Sequence, residues 1–329
     1  MTGRSSAATQ PEGRAAAKMT TEELSDSATV ALIGGGMIEN SSEAGPSLGA
    51  QLEASAREFL GIFDALLAAS ELQFAPDLAI RHVVAKAVIE RQTSALRAAL
   101  LLGDQCLGNL ATAFVRQAFE EQIWLAYVET LDAEPGERLL TAMRLNDALR
   151  GLAAFHNYAG ADALRGVGFP SRFADAAGRE TSKIRDDLRT LGQELGWPKG
   201  TVVPSTNWVA ERVGAQARYD YLFAATSRAV HFSAGEAMRN SWWDSDGRIM
   251  MASERTRHQY AFALQQLINI AVRTFANALA IIGPTTSLAG PTEGRFTATV
   301  ERFAEIKWVP LVITEEFNLS PRQRSRSRA

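Results

Sequence analysis

The chain has 329 residues with 37 acidic and 34 basic side chains, a net charge of −3, and 46% of its residues are hydrophobic. These are ordinary globular values, and an acidic body excludes a general phosphate-binding surface of the kind that a nucleic-acid-binding protein needs. A single cysteine, Cys106, excludes an internal disulfide. No secretory leader is recognisable, so we expect a cytoplasmic protein.

Both ends of the chain differ in composition from its middle. Residues 1–45 are rich in Ala, Ser, Thr and Gly without a helical or strand period, which predicts a disordered leader. Residues 311–329 are predicted as a disordered basic tail, because so short a polar run cannot fold alone. The last nine residues contain no acid and four arginines, Arg322, Arg324, Arg326 and Arg328. Residues 46–310 are predicted to form one domain, an all-α multi-helix bundle.

Two helices are predicted at the start of this domain. Apolar residues from Leu52 to Leu67 recur at spacings of three and four, which places them on one helical face. Pro76 suits the first turn of a helix and opens the second. Gly103 is expected to end that second helix.

The third helix is the most apolar of the first half. Asp104 is predicted to cap it, and it ends before Pro135. Apolar side chains lie on almost all its sides, so we place it in the middle of the bundle, with Cys106 buried in it as a small hydrophobe. Pro135 begins a fourth, amphipathic helix that runs to about Tyr158.

Three helical segments follow in the second half. Residues 170–195 are charged and predict a helix at the edge of the bundle. Ser205 or Thr206 can cap a short helix over residues 207–213. A longer helix is predicted from about residue 215 to residue 232.

The clearest helix of the chain follows Ser253 and covers residues 255–282. We predict no membrane span in its apolar part, because polar residues interrupt it at Gln265, Gln266, Asn269 and Arg273. A shorter helix over residues 296–308 precedes the tail. No repeat and no alternating strand pattern is recognisable, which favours an antiparallel bundle.

Metal ligands would have to be clustered, and the histidines are not. The four histidines lie singly in different segments, at His82, His156, His231 and His258. None belongs to a Glu-x-x-His pair, the spacing that di-iron bundles use. We therefore predict no metal site and no cofactor.

Two separated stretches carry short polar motifs, Arg-x-x-x-Glu within residues 97–128 and a later Tyr, Ser and His within residues 219–233. Together they resemble an uncharacterised family of bacterial all-helical proteins. The residues that match its motifs are Arg116, Glu120, Tyr221, Ser227 and His231. No activity is established for that family, so the resemblance implies an architecture and candidate residues but no reaction.

Helical spacing gives these motifs a physical meaning. Four residues separate Arg116 from Glu120, and Ser227 from His231, so each pair shares one helical face. If His231 faces Glu120, the carboxylate would orient the ring for acid or base catalysis, and Arg116 would hold an anion. The predicted ligand-binding residues are Tyr221, Ser227, Trp208 and Trp242. The alternative is a structural polar network that sets helix register.

A second motif lies on the fourth predicted helix. Arg150 followed by His156 and Asn157 resembles the Arg-x(4–6)-His motif of HEPN ribonucleases, helical nucleases of toxin and defence systems. The polar residue that usually follows the arginine in that family is Gly151 here. The resemblance implies a metal-independent endoribonuclease.

Two functions stay open on these grounds. The first is a helical module that binds a ligand or a partner through its polar cluster, and the second is the HEPN-like ribonuclease. A protein partner or a homo-oligomer is compatible with either. Nucleic acid is expected only if the chain is HEPN-like or through the arginine-rich tail, and no membrane contact is expected.

Overall fold

Helices dominate the residues that the computed structural model describes, which are 47–69, 79–169, 172–230, 241–243, 249–251, 253–282 and 291–311. The predicted all-α fold is confirmed for these residues, which all belong to one unit, Asn40–Ala329. The predicted leader, residues 1–45, lies outside the described residues. So does the tail beyond residue 311.

The described residues form nine α-helices and one short hairpin. The first five helices are α1 (Leu48–Ala69), α2 (Ile80–Asp104), α3 (Thr112–Glu129), α4 (Ala133–Gly166) and α5 (Arg172–Glu194). The remaining elements are α6 (Thr206–Arg212), α7 (Gln216–Val230), β1 (Ser241–Trp243), β2 (Ile249–Met251), α8 (Ser253–Ile282) and α9 (Pro291–Ala304). A 3₁₀ helix, Gly108–Ala111, leads into α3.

Two helices, α3 and α8, lie at the centre of the bundle. The first packs against α2, α6, α7 and α8, as its all-round apolar pattern predicts, and α8 packs against α1, α2 and α3. Val115 and Ile123 of α3 and Phe262 and Ile268 of α8 are fully buried. Burial of each such side chain contributes about 1.5–3 kcal/mol, so this contact is the main apolar core.

The junction of α2 and α3 differs from the prediction. Gly103 does not end α2, which continues to Asp104. A Cβ atom on Gly103 would overlap the ring of Tyr260, and one on Gly108 would lie 2.6 Å from that ring. These glycines therefore let α8 approach closely, which a sequence pattern cannot distinguish from a helix stop.

The predicted roles of Asp104 and Cys106 are also wrong. Asp104 is the last residue of α2 and lies 3.5 Å from Arg57, whereas α3 begins only at Thr112, after the 3₁₀ helix. Cys106 is exposed and has a φ of 58°, because it lies in the turn that reverses the chain rather than inside α3. An apolar run that continues through a turn hides the turn from a periodicity argument.

The helices of the second half follow their sequence signals more closely. α4 continues beyond the predicted end at Tyr158, although Gly160, with φ 84° and ψ 171°, breaks its helical geometry. α6 begins after Ser205, whose hydroxyl accepts a hydrogen bond of 3.3 Å from the backbone N–H of Trp208. Serine is thus the predicted N-cap.

Two features were not predicted. β1 and β2 form an antiparallel hairpin in which Trp242 pairs with Met250. After α9, the chain packs back onto α8, where the Gln265 amide donates to the carbonyl of Lys307 at 2.9 Å and accepts from the N–H of Val309 at 2.7 Å.

None of the helices in the described ranges combines the length and apolar character that a membrane-crossing segment needs.

Candidate functional site

The Arg116–Glu120 pair lies on the side of α3 that faces α7. The guanidinium Nε of Arg116 donates to the carboxylate of Glu120 at 3.1 Å, as the spacing of four residues predicts. The exposed fractions of the two side chains are 21% and 37%. The pair therefore lies at the edge of the interface and is accessible to a ligand.

Aromatic side chains of α7 surround this pair. The guanidinium carbon of Arg116 lies 4.2 Å from the centre of the Phe223 ring, a cation–π contact. The rings of Phe223 and Tyr219 are 5.2 Å apart. Burial and the nearby Glu120 carboxylate raise the pKa of the Tyr219 hydroxyl, so this group stays protonated and can donate a hydrogen bond at neutral pH.

Ser227 belongs to the same face of α7. It lies one helical turn beyond Phe223 and is half-buried. His231 would lie one turn further along the sequence, but it is outside the described residues. The described part of the predicted cluster therefore consists of Arg116, Glu120 and, on the facing helix, Ser227.

Two other predicted ligand-binding residues, Tyr221 and Trp208, make their contacts elsewhere. The Tyr221 ring packs against Phe262 and Trp308, and its hydroxyl accepts a hydrogen bond of 3.3 Å from the N–H of Leu311. Trp208 packs edge-on against Tyr127, with ring centres 5.8 Å apart. Trp242 lies in β1, and its side chain is outside the described part of the structure.

A second basic group lies deeper in the same interface. The guanidinium carbon of Arg218, on α7, lies 5.0 Å from the ring centre of Phe119, which is almost fully buried. Its Nη2 atom is buried and has no hydrogen-bond partner within the described part of the chain. A buried donor without a partner is costly, so this atom requires an explanation.

Arg273 of α8 is close enough to Arg218 for their positive charges to repel each other. Burial and this repulsion lower the pKa of Arg218 to about 9. Burial also lowers the pKa of Arg273. Among the described residues no carboxylate forms an ion pair with either arginine. Two positive charges therefore lie within electrostatic range of each other, and neither forms an ion pair with a described carboxylate.

Further polar groups follow the same face of α8. Gln266, Arg273 and Asn277 are spaced by seven and four residues, which places them on one side of the helix. Asn277 accepts a hydrogen bond of 3.3 Å from Gln122 of α3 and donates to Glu129. The amide nitrogen of Gln266 and the amide oxygen of Gln122 are buried without partners in the described structure. The centre of the bundle thus contains buried polar atoms that could form hydrogen bonds with a ligand.

An open groove of about 540 Å³ lies on the opposite side of α3, against α2. Arg91 and Glu121 form an ion pair of 2.7 Å there, and Gln117 donates to Glu121 at 3.2 Å. Burial raises the pKa of the Glu121 carboxyl despite these contacts. Every charge that lines this groove among the described side chains has a nearby charge of opposite sign.

The residues that resemble the HEPN motif lie elsewhere, on α4. Arg150 is exposed and His156 is half-buried, and no hydrogen bond joins them. They are six positions apart, so they point about 120° apart around the helix. In the described part of the chain, no three His, Cys, Asp or Glu side chains are grouped so that they could hold a metal ion.

No protein-family model, curated protein or solved structure matches this chain. Both family resemblances therefore remain predictions from short motifs.

Proposed function

We propose that this protein is a helical module that binds a small ligand at the α3–α7 face. The observation that carries the proposal is the accessible Arg116–Glu120 pair beside the rings of Tyr219 and Phe223. This face offers both an ion pair and exposed aromatic surface, the combination with which proteins fix and orient a small molecule.

The chemistry of the face favours a ligand with a planar part and a polar part. Tyr219 and Phe223 offer aromatic surface, and 37% of Phe223 is exposed. The cation of Arg116 and the acceptor oxygens of Glu120 offer charge-assisted hydrogen bonds. These contacts contribute little to folding, since an accessible pair of this spacing is worth about 0.3–0.5 kcal/mol. Their substitution therefore leaves the fold intact.

The experiment is a thermal-shift screen of the full chain with small metabolites, followed by affinity measurements on variants. Arg116→Met, Glu120→Gln and Phe223→Ala are expected to weaken binding about ten- to hundredfold, because each removes a direct contact. His231→Ala joins the set, because its spacing of four residues from Ser227 predicts that the two share a helical face.

Arg212→Met is the matched control. Arg212 also lies over an aromatic ring, 5.1 Å from the ring centre of Trp208, but it belongs to α6 and not to the proposed site. Its removal is expected to leave affinity unchanged. If no compound stabilises the protein, or if every variant binds as the wild type does, this face is not a binding site.

A further inference from the structure

The two unpaired arginines inside the bundle indicate which chemical group the ligand carries. We propose that Arg218 and Arg273 bind the phosphate group of a small phosphorylated molecule. This inference rests on the proposed binding function, because it assigns a ligand class to the α3–α7 face and adds α8 to the site.

The geometry supports an anion at this position. The guanidinium of Arg218 is held over the ring of Phe119, which leaves its buried Nη2 atom to donate to something other than the described protein groups. Arg273, on α8, adds a second positive charge within electrostatic range of Arg218. The desolvation of Arg218 and its repulsion by Arg273 are both unfavourable, and an anion close to the two groups would offset them.

The charge favours phosphate over a carboxylate. A phosphate monoester carries nearly two negative charges at neutral pH and matches two guanidinium groups, whereas a carboxylate would leave one cation uncompensated. Arginine also binds phosphate oxygens in pairs through its planar donors, which a lysine does not do. Arg116 lies closer to the surface beside Phe223, so an aromatic part of the same molecule would lie there.

The test measures the melting temperature of the full chain with inorganic phosphate, phenyl phosphate and sodium acetate, each against sodium chloride of equal ionic strength. Phosphate at about ten times its Kd is expected to raise Tm by about 2–3 °C. Acetate is expected to have no specific effect. A larger effect of phenyl phosphate would identify a phosphorylated organic molecule as the ligand, and an effect of inorganic phosphate alone would identify the free ion.

Arg218→Met and Arg273→Met are expected to abolish the phosphate effect. Arg218→Lys is a second variant, which keeps the charge and removes the planar donors. It is expected to weaken the affinity for phosphate about tenfold. The control is Arg97→Met, which removes an exposed arginine that pairs with Asp64 and is expected to keep the full effect.

The possible outcomes separate this inference from the proposed function. If phosphate and phenyl phosphate raise Tm equally in the wild type and in Arg218→Met and Arg273→Met, or have no effect on the wild type, the inference is wrong. If the effect is lost in Arg116→Met but kept in the other two variants, phosphate binds at the surface pair. The inference would then fail while the binding function stands.

Discussion

The charged side chains on the two sides of α3 differ in whether they have a partner of opposite charge. Toward α2, Arg91 and Glu121 form an ion pair beside an open groove. Toward α7 and α8, Arg218 and Arg273 lie inside the bundle without a described acidic partner. A paired, accessible charge costs little and stabilises little, whereas a buried charge without a partner weakens the fold. This difference is the basis for our proposal that the second side binds a ligand.

The largest effect on stability is expected from Phe119, the ring against which the Arg218 guanidinium packs. Phe119→Ala removes an almost fully buried ring from the centre of the bundle, and it is expected to lower the free energy of unfolding by about 3–5 kcal/mol. Urea-induced unfolding followed by circular dichroism measures this loss.

The matched substitution on the other side of α3 is Phe114→Ala. Phe114 lines the groove and is only half-buried, so a loss of roughly 1–2 kcal/mol is expected. Equal losses for the two variants would mean that the sides of α3 do not differ in packing, and would weaken the comparison.

A smaller effect is expected from the protonation of Arg218. Its pKa in the folded protein is lowered to about 9, well below the ordinary range of an arginine. Above pH 9 the unfolded chain therefore binds more protons than the folded one, and stability gained from this group rises with pH. Between pH 8 and pH 10, the wild type is expected to gain about 1 kcal/mol relative to Arg218→Met.

Denaturant titrations of both proteins at the two pH values give this difference directly. The comparison with the variant removes the contributions of tyrosines and lysines, which titrate in the same range. Arg273 contributes in the same direction, because burial lowers its pKa as well. If the difference in free energy of unfolding between the two proteins does not change with pH, burial of the Arg218 charge does not destabilise the fold.

The smallest effect is expected in the groove. Burial raises the pKa of Glu121 above its ordinary 4.5, so at pH 7 the ionised carboxylate weakens the folded state slightly in spite of Arg91 and Gln117. Glu121→Gln is expected to be equal to or more stable than the wild type, by less than about 1 kcal/mol.

This gain should disappear as the pH falls through the pKa of Glu121 in the folded protein, because the wild-type carboxyl then becomes neutral as well. Unfolding measurements at pH 7 and pH 4 test it. A clear loss of stability in Glu121→Gln at pH 7 would mean that the paired side also depends on its charges, contrary to the comparison.

Much of the helical architecture follows from local signals in the sequence. Ser205 caps α6, and the long apolar period that begins after Ser253 is a single helix, because caps and periodicity depend on neighbouring residues only. The role of Gly103 was missed for the opposite reason. The glycine is required by Tyr260, which lies more than 150 residues later, and no local pattern contains that contact.

In the site as well, contacts within one helix could be predicted from the sequence, whereas contacts between helices could not. The Arg116–Glu120 pair is visible in the sequence because both residues lie on one helix four positions apart. Arg218 and Arg273 are not, since they lie on different helices and approach each other only in the folded chain. The available signal was Arg273 itself, a cation inside the apolar stretch of α8. Burying a charge there destabilises the fold unless the charge has a partner.

The most direct test of this account is the stability of Arg218→Met in a buffer that contains no phosphate or other oxyanion. The free energy of unfolding at pH 7 should equal or exceed that of the wild type, by as much as about 1–4 kcal/mol, because an apolar side chain replaces a buried charge. A loss of about 2 kcal/mol or more would contradict the account, since it would show that Arg218 holds the fold together through a partner.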